Sequence, residues 1–336
     1  NNNFLLRYHN EFDINKNLKF YLSAFAENQK TNPISFNANY WHENFAGISG
    51  DIDNAYLEFY QNNIFIKVGK DYFSPGMYLR DRILFSNNGY PYEQVILSYS
   101  SSNISVTSFY LSLSNLGSDS SLNPYDNIIR HINGHRLSFI FENGYFALNE
   151  IILYGGVNQP INFDLLNPFG FYYLYQHSED FQSNCILSFE FLINRWGFDF
   201  FGELVVDDFQ VDKKEPSDLE PSEYAIMIDV NKEIYKNLNL SFNYTKVANR
   251  TFNSQFFSHE KFINKNFPIG HILGNNFWKY HYSIKYFNSK FIYHLSFFYI
   301  NSGEEALYSD FNTDYLNHNV NDGYTEQFPF GELASS

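Results

Sequence analysis

The sequence predicts an all-β fold, a transmembrane antiparallel up-and-down β-barrel, on three observations. Apolar and polar residues alternate with period 2 through segment after segment, so each segment separates an oily face from a polar one. Short polar turns and much longer connections alternate between the segments, which is the asymmetry of a membrane barrel. Aromatic residues make up 21% of the 336 residues and charged residues only 18%, yet the mean hydropathy is −0.37. No run approaches the ~18 consecutive apolar residues of a membrane helix, so two-faced strands suit this composition better than helices. A large soluble β core is also rich in Phe and Tyr, but its strands have a mode of about 5–6 residues.

About fourteen strands follow, near 4–14, 17–29, 53–62, 64–71, 92–101, 104–114, 128–142, 145–157, 182–195, 198–211, 222–233, 238–250, 277–287 and 290–301. Leu18, Phe20, Leu22 and Ala24 alternate with Lys19, Tyr21 and Ser23. Phe198, Phe200, Leu204 and Val206 alternate with Asp199, Glu203 and Asp207. Leu238, Leu240, Phe242 and Tyr244 alternate with Asn239, Ser241 and Asn243. Asn143-Gly144 is the strongest short hairpin signal, and Asn15-Lys16, Lys236-Asn237 and Asn288-Ser289 mark further tight turns. The long connections are 30–52, 72–91, 115–127, 158–181, 212–221, 251–276 and the stretch after 302. Aromatics gather near strand ends, as at Tyr56/Phe59/Tyr60 and Trp278/Tyr280, where interfacial girdles sit.

Nothing in composition divides the chain, so residues 1–336 read as a single barrel domain. The net charge of −15 argues against nucleic acid as a partner, because phosphate binding needs Lys/Arg clusters. A single cysteine, Cys185, excludes a disulfide framework and a thiolate metal cluster. The chain opens directly in a strand after Asn1-Asn2-Asn3, as a mature or trimmed product does.

Catalytic chemistry has no positive signal. His131 and His135 lie in a strand, which at ~3.3 Å per residue sets them about 13 Å apart, too far for one metal ion. Asp207 and Asp208 are adjacent strand residues and point to opposite faces, Asp207 to the lumen. No nucleophile elbow, zinc-protease motif or phosphate loop is present. The reading is therefore no enzyme, no metal and no cofactor, with Lys67, Arg136, Asp199, Glu203, Asp207, Asp229 and Lys285 lining a wet lumen.

The segment from Val68-Gly69-Lys70 through Ser74-Pro75-Gly76, then Ile83-Leu84-Phe85-Ser86-Asn87-Asn88 to Pro91, resembles the capsule-assembly Wzi family of outer-membrane barrels. Leu166-Asn167-Pro168-Phe169, Gly202-Glu203 to Asp207-Asp208-Phe209, and Pro268-Ile269-Gly270-His271 resemble further family stretches, in family order. The resemblance implies a barrel in the outer membrane of a Gram-negative-type bacterium that binds capsule or exopolysaccharide without catalysing a reaction. The family pattern has periplasmic helices and eighteen strands, so the fourteen visible here imply a total of 16–18 if the chain continues beyond Ser336.

Tyr40, Trp41, Tyr72, Phe73, Tyr172, Tyr173 and Tyr175 are the candidate sugar-stacking rings. Arg80, Asp81 and Arg82 sit among apolar residues in the long 72–91 connection. That mixture predicts a segment folded into the lumen, with the arginines on Asp199, Glu203 and Asp207. Two other functions share the fold: a porin-like channel constricted by 72–91 and 158–181, and a structural barrel in a larger envelope complex. Expected partners are outer-membrane lipid, surface polysaccharide and other envelope proteins.

Overall fold

The computed structural model describes residues 4–28, 48–76, 82–87, 89–115, 128–178, 181–210, 215–304 and 307–335. Fourteen long strands run through it: β1 (Leu5–Asn15), β2 (Leu18–Glu27), β3 (Ser49–Gln61), β4 (Ile64–Asp71), β5 (Tyr92–Ser100), β6 (Ile104–Leu113) and β7 (Ile128–Phe141). They continue as β8 (Gly144–Val157), β9 (Asn184–Arg195), β10 (Phe198–Asp208), β11 (Glu223–Tyr235), β12 (Leu238–Val247), β13 (Phe277–Phe287) and β14 (Ile292–Ser302). Each pairs antiparallel with the next, so the wall is an all-β up-and-down meander. Among the described residues, β1 and β14 do not pair with each other, and only Ala334–Ser335 adds to β14. The strand starts read from the sequence agree closely; β3 begins earlier, at Ser49, because Ser49 to Asp51 continue the pairing with β2.

Alternation sorts the two faces of the wall. On β11, Ala225, Met227, Asp229 and Asn231 are buried toward the lumen, while Ile228 on the other parity is 42% exposed. On β12, Asn243 and Thr245 are buried, and Phe242 and Tyr244 stack on β13 tyrosines along the outer face. Val68, Leu148, Leu187 and Leu204 extend this exposed apolar belt, as expected of a lipid-facing surface. Trp196 stands at a two-residue turn with φ 55°, 78% exposed at the short-turn rim.

The lumen is not hollow throughout. Ile83, Leu84 and Phe85 join Phe252, Phe262, Ile263 and Ile269 in one buried apolar cluster. Wall residues Phe109, Ile132, Ile151, Ile186, Phe201 and Val205 pack against it from β6 to β10. Two long connections thus meet inside the wall and form a plug. The Ser86 amide donates to the Ile269 carbonyl at 3.0 Å, and Phe85 packs edge-on to Phe73 at 4.8 Å.

Candidate functional site

The plug hangs on buried charge. Glu190 on β9 and Glu203 on β10 are direct cross-strand partners, and both are buried. Like charges placed opposite each other repel, so this pairing needs compensation. Arg82 supplies it from the plug: it bonds Glu190 and lies 3.7 Å from Glu203. Arg136 on β7 bonds Glu190 from the wall and donates to Asn149 at 3.0 Å. Glu203 then accepts the Ile83 and Leu84 amides at 2.7 and 3.3 Å. Gly76 borders this cluster at φ 97°, a backbone conformation that favours glycine, and a Cβ there would press on Glu190 Oε1 at 2.9 Å.

The second plug segment is tied by other means. Arg130 on β7 is fully buried and donates to the carbonyls of His259, Lys261 and Ile263 at 2.6, 2.5 and 2.8 Å. A delocalised fork with five donors suits such a cluster of carbonyls. Asp207 accepts the Phe252 amide, and Lys279 on β13 lies 2.8 Å from His271.

Above the plug, on the side of the long loops, lies a cleft of about 280 Å³. Asp207, Asp208, Glu220, Glu223 and Glu260 line it, with the rings of Tyr173 and Phe311 and the amides of Asn184, Asn253 and Gln255. Burial pushes the Glu220 carboxyl up to about 7 against the opposing pull of Arg250. Burial also raises Glu260, which accepts the Ser254 hydroxyl at 2.8 Å. Below the plug, at the short turns, a polar cavity of about 580 Å³ is lined by Asp199, Asp229, Lys232, His281, Lys285 and Asn87. The lumen is therefore lined by polar groups at both ends and filled by the plug in between.

The residues singled out from the sequence scatter across these compartments. Tyr40, Trp41, Arg80 and Asp81 lie outside the described residues. Phe73 is buried against Phe85 and Phe109, so it braces the plug instead of offering a face to sugar. Tyr172 is buried too: its hydroxyl donates to the Leu165 carbonyl at 2.8 Å and its ring packs on His135. Tyr175 is half-buried, and its hydroxyl accepts from Asn162 at 2.9 Å. Tyr173 and Tyr72 are 53% and 47% exposed, and of the two only Tyr173 lines the mouth cleft. Among the expected carboxylates, Glu203 lies near Arg82, whereas Asp199 accepts from Asn194 at the short-turn end and Asp207 takes a backbone amide. Glu190, the nearer partner of Arg82, was missed; its only sequence signal is a carboxylate on the inward parity of an otherwise oily strand.

The 158–181 connection corrects a further expectation, since it does not constrict the lumen. The turn Phe163–Leu166 and the helix α1 (Tyr172–Ser178) lie on the outer face of β7–β9. There Leu165, Tyr172, Ile152, Tyr154 and Cys185 form a separate buried cluster. The loop turns outward because Tyr154, Asn133 and Glu150, on the outward parity, hold it: Asn133 donates to the Leu165 carbonyl and Glu150 accepts the Tyr173 amide. His131 is satisfied in the same way, at 2.8 Å from the Tyr110 hydroxyl, while His135 lies 3.0 Å from Glu150. Among the described residues no group of three or more metal-capable side chains comes together.

No family model and no curated protein matches the chain. Among solved structures it is similar to Wzi of Escherichia coli, an outer-membrane protein involved in group 1 capsule assembly and a carbohydrate-binding β-barrel, at 13% identity and a TM-score of 0.60. That match covers 90% of this chain and 65% of the other, so the chain spans just under two thirds of the length of that structure. OmpF of Salmonella typhi is more distant, at 9% identity and a TM-score of 0.45 over 93% of this chain and 86% of that one. The likeness to Wzi, at 13% identity, shows the fold: a β-barrel of the outer-membrane type, with its apolar belt facing outward.

Proposed function

We propose that this barrel binds a surface polysaccharide of the capsule or exopolysaccharide type at its long-loop mouth, and that it catalyses no reaction. The observation that carries the reading is the plugged lumen crowned by a cleft of carboxylates, amides and rings. Carboxylates and amides accept and donate hydrogen bonds to hydroxyls, and charge-assisted O–H···O⁻ bonds are the stronger kind. The Tyr173 and Phe311 rings offer apolar faces to sugar C–H groups. Likeness of fold to a carbohydrate-binding barrel supports the reading. A freely conducting porin fits less well, because the Ile83–Phe85 and Phe252–Ile269 segments fill the middle of the lumen.

Calorimetric titration of the refolded protein with oligosaccharides cut from bacterial surface polysaccharides tests it. Binding is expected to weaken at least tenfold in Tyr173→Ala and Asp208→Asn. Absence of binding to every such glycan, together with a large stable conductance in planar bilayers, would favour the channel reading instead.

A further inference from the structure

A second ligand-sized space lies on the outside of the wall. The strip Pro168-Phe169-Gly170-Phe171 overhangs β7–β10 and leaves a groove of about 560 Å³ beneath it, within the usual size of small-molecule sites. Its floor is the lipid-facing side of four strands: Leu137 on β7, Leu148 on β8, Leu187 and Phe189 on β9, Leu204 and Val206 on β10. Leu148, Leu187 and Leu204 are 51%, 44% and 40% exposed beneath the overhang, so among the described residues nothing fills the space above them.

The groove is graded along the membrane normal. Leu137 pairs with Leu148, which pairs with Phe189, which pairs with Leu204, and this register forms an apolar row. One step toward the long loops, His135 pairs with Glu150. These two side chains lie 3.0 Å apart at the upper end of the groove, and among the described residues His135 Nδ1 there is buried without a hydrogen-bond partner. The polar end thus lies toward the long loops, the outer side in barrels of this type, and the apolar row lies deeper.

We infer that this groove holds one acyl chain of an outer-leaflet lipid, with the polar linkage at its head beside His135 and Glu150. The groove is continuous with the lipid-facing belt, so acyl chains are the molecules that surround it. An apolar space open to hydrocarbon gains dispersion contacts when hydrocarbon fills it and offers water too few polar partners. The overhang turns what would be a passing lipid contact into a seat with walls on more than one side. Phe163, Phe169, Phe171 and Leu174, 76%, 78%, 68% and 63% exposed, carry the same apolar surface over the outside of the loop. The inference does not depend on the sugar reading.

Native mass spectrometry of the protein extracted from outer membranes into mild detergent tests it. The expected spectrum is one retained lipid per barrel, surviving at detergent concentrations that strip the rest of the belt. Filling the groove with Leu148→Trp and Leu187→Trp together should abolish that adduct, while Ile284→Trp, on the lipid face of β13, should retain it. Heat-shifted gel mobility confirms that each variant is folded. Should the doubly filled variant fail to fold, His135→Leu serves instead, with at least a fivefold drop in adduct expected. No retained lipid on the unaltered protein, or equal retention in the filled variant, would overturn the inference; so would a retained protein partner in place of lipid.

Discussion

The strands β7 to β10 carry long-loop segments on each face, and the two faces hold them by opposite chemistry. Inside, Arg82, Arg136, Glu190 and Glu203 bury charge and neutralise it within the lumen, and Arg130 gathers three plug carbonyls. Outside, Leu165, Tyr172, Ile152 and Tyr154 pack as neutral surfaces joined mainly by hydrogen bonds to backbone. The lumen can afford ion pairs because wall and plug enclose them together. The lipid side keeps its His135–Glu150 pair at the long-loop end of the groove, beneath the overhanging loop, since a charge deeper in hydrocarbon has no water and few partners. One alternating strand therefore serves two solvents, and residue parity decides which loop chemistry each face accepts.

The largest expected effect falls on the inner loop. Arg82→Ala leaves Glu190 and Glu203 facing each other in a buried site, and removing one partner of a buried pair costs about 3–5 kcal/mol. Urea unfolding of the refolded protein in detergent should show that loss, and planar bilayers should show a rise in conductance as the plug loosens. Next comes the lipid face itself. Ile226→Arg or Phe242→Arg, at outward mid-strand positions, should destabilise by about 2–4 kcal/mol, with lumen-facing Asn243→Arg far milder. Equal losses at all three positions would refute the assigned parity.

The outer loop should respond more weakly. Tyr172→Phe removes one hydrogen bond to the Leu165 carbonyl and should cost about 1 kcal/mol, read as faster proteolysis of the 158–178 stretch with the wall intact. A further effect concerns pH at the mouth. Burial raises Glu220 in the folded protein to about 7, above its unfolded value of 4.5, so the folded state holds the extra proton between those values. Stability should therefore fall as pH rises from 4.5 toward 7, and Glu220→Gln should flatten that slope. A slope of opposite sign in the native protein, measured by urea midpoints across that range, would rule the effect out.

The strands were legible because period-2 alternation and Asn-rich tight turns are local signals, and the fourteen strands emerge within about four residues of their observed bounds. The apolar run Ile83-Leu84-Phe85 beside Arg82 likewise carried a readable demand for enclosure. What strand lengths could not carry was which face a long connection covers. A stretch such as 158–181, full of Phe and Tyr, looks the same whether it packs in the lumen or on the outer wall. Tyr172 and Tyr173 are neighbours in sequence, yet one turns into the outer cluster and the other toward the mouth cleft, because successive helix positions point about 100° apart. Glu190 was invisible for a different reason: its partner Arg82 is 108 residues away, and only the β9–β10 register brings Glu203 beside them both.

The claim that one wall carries a lumen plug inside and a lipid-facing loop outside can be tested with spin labels at two positions in the protein reconstituted in vesicles. Asn87 lines the polar cavity beneath the plug, and Phe169 lies on the outer overhang. A label at Phe169 should relax with oxygen, which partitions into lipid, and be shielded from a water-soluble nickel chelate. A label at Asn87 should show the reverse preference. Equal access of the nickel chelate to both labels would contradict the account, because it would place the 158–178 loop in water and leave the outer face of β7–β10 without its lipid contact.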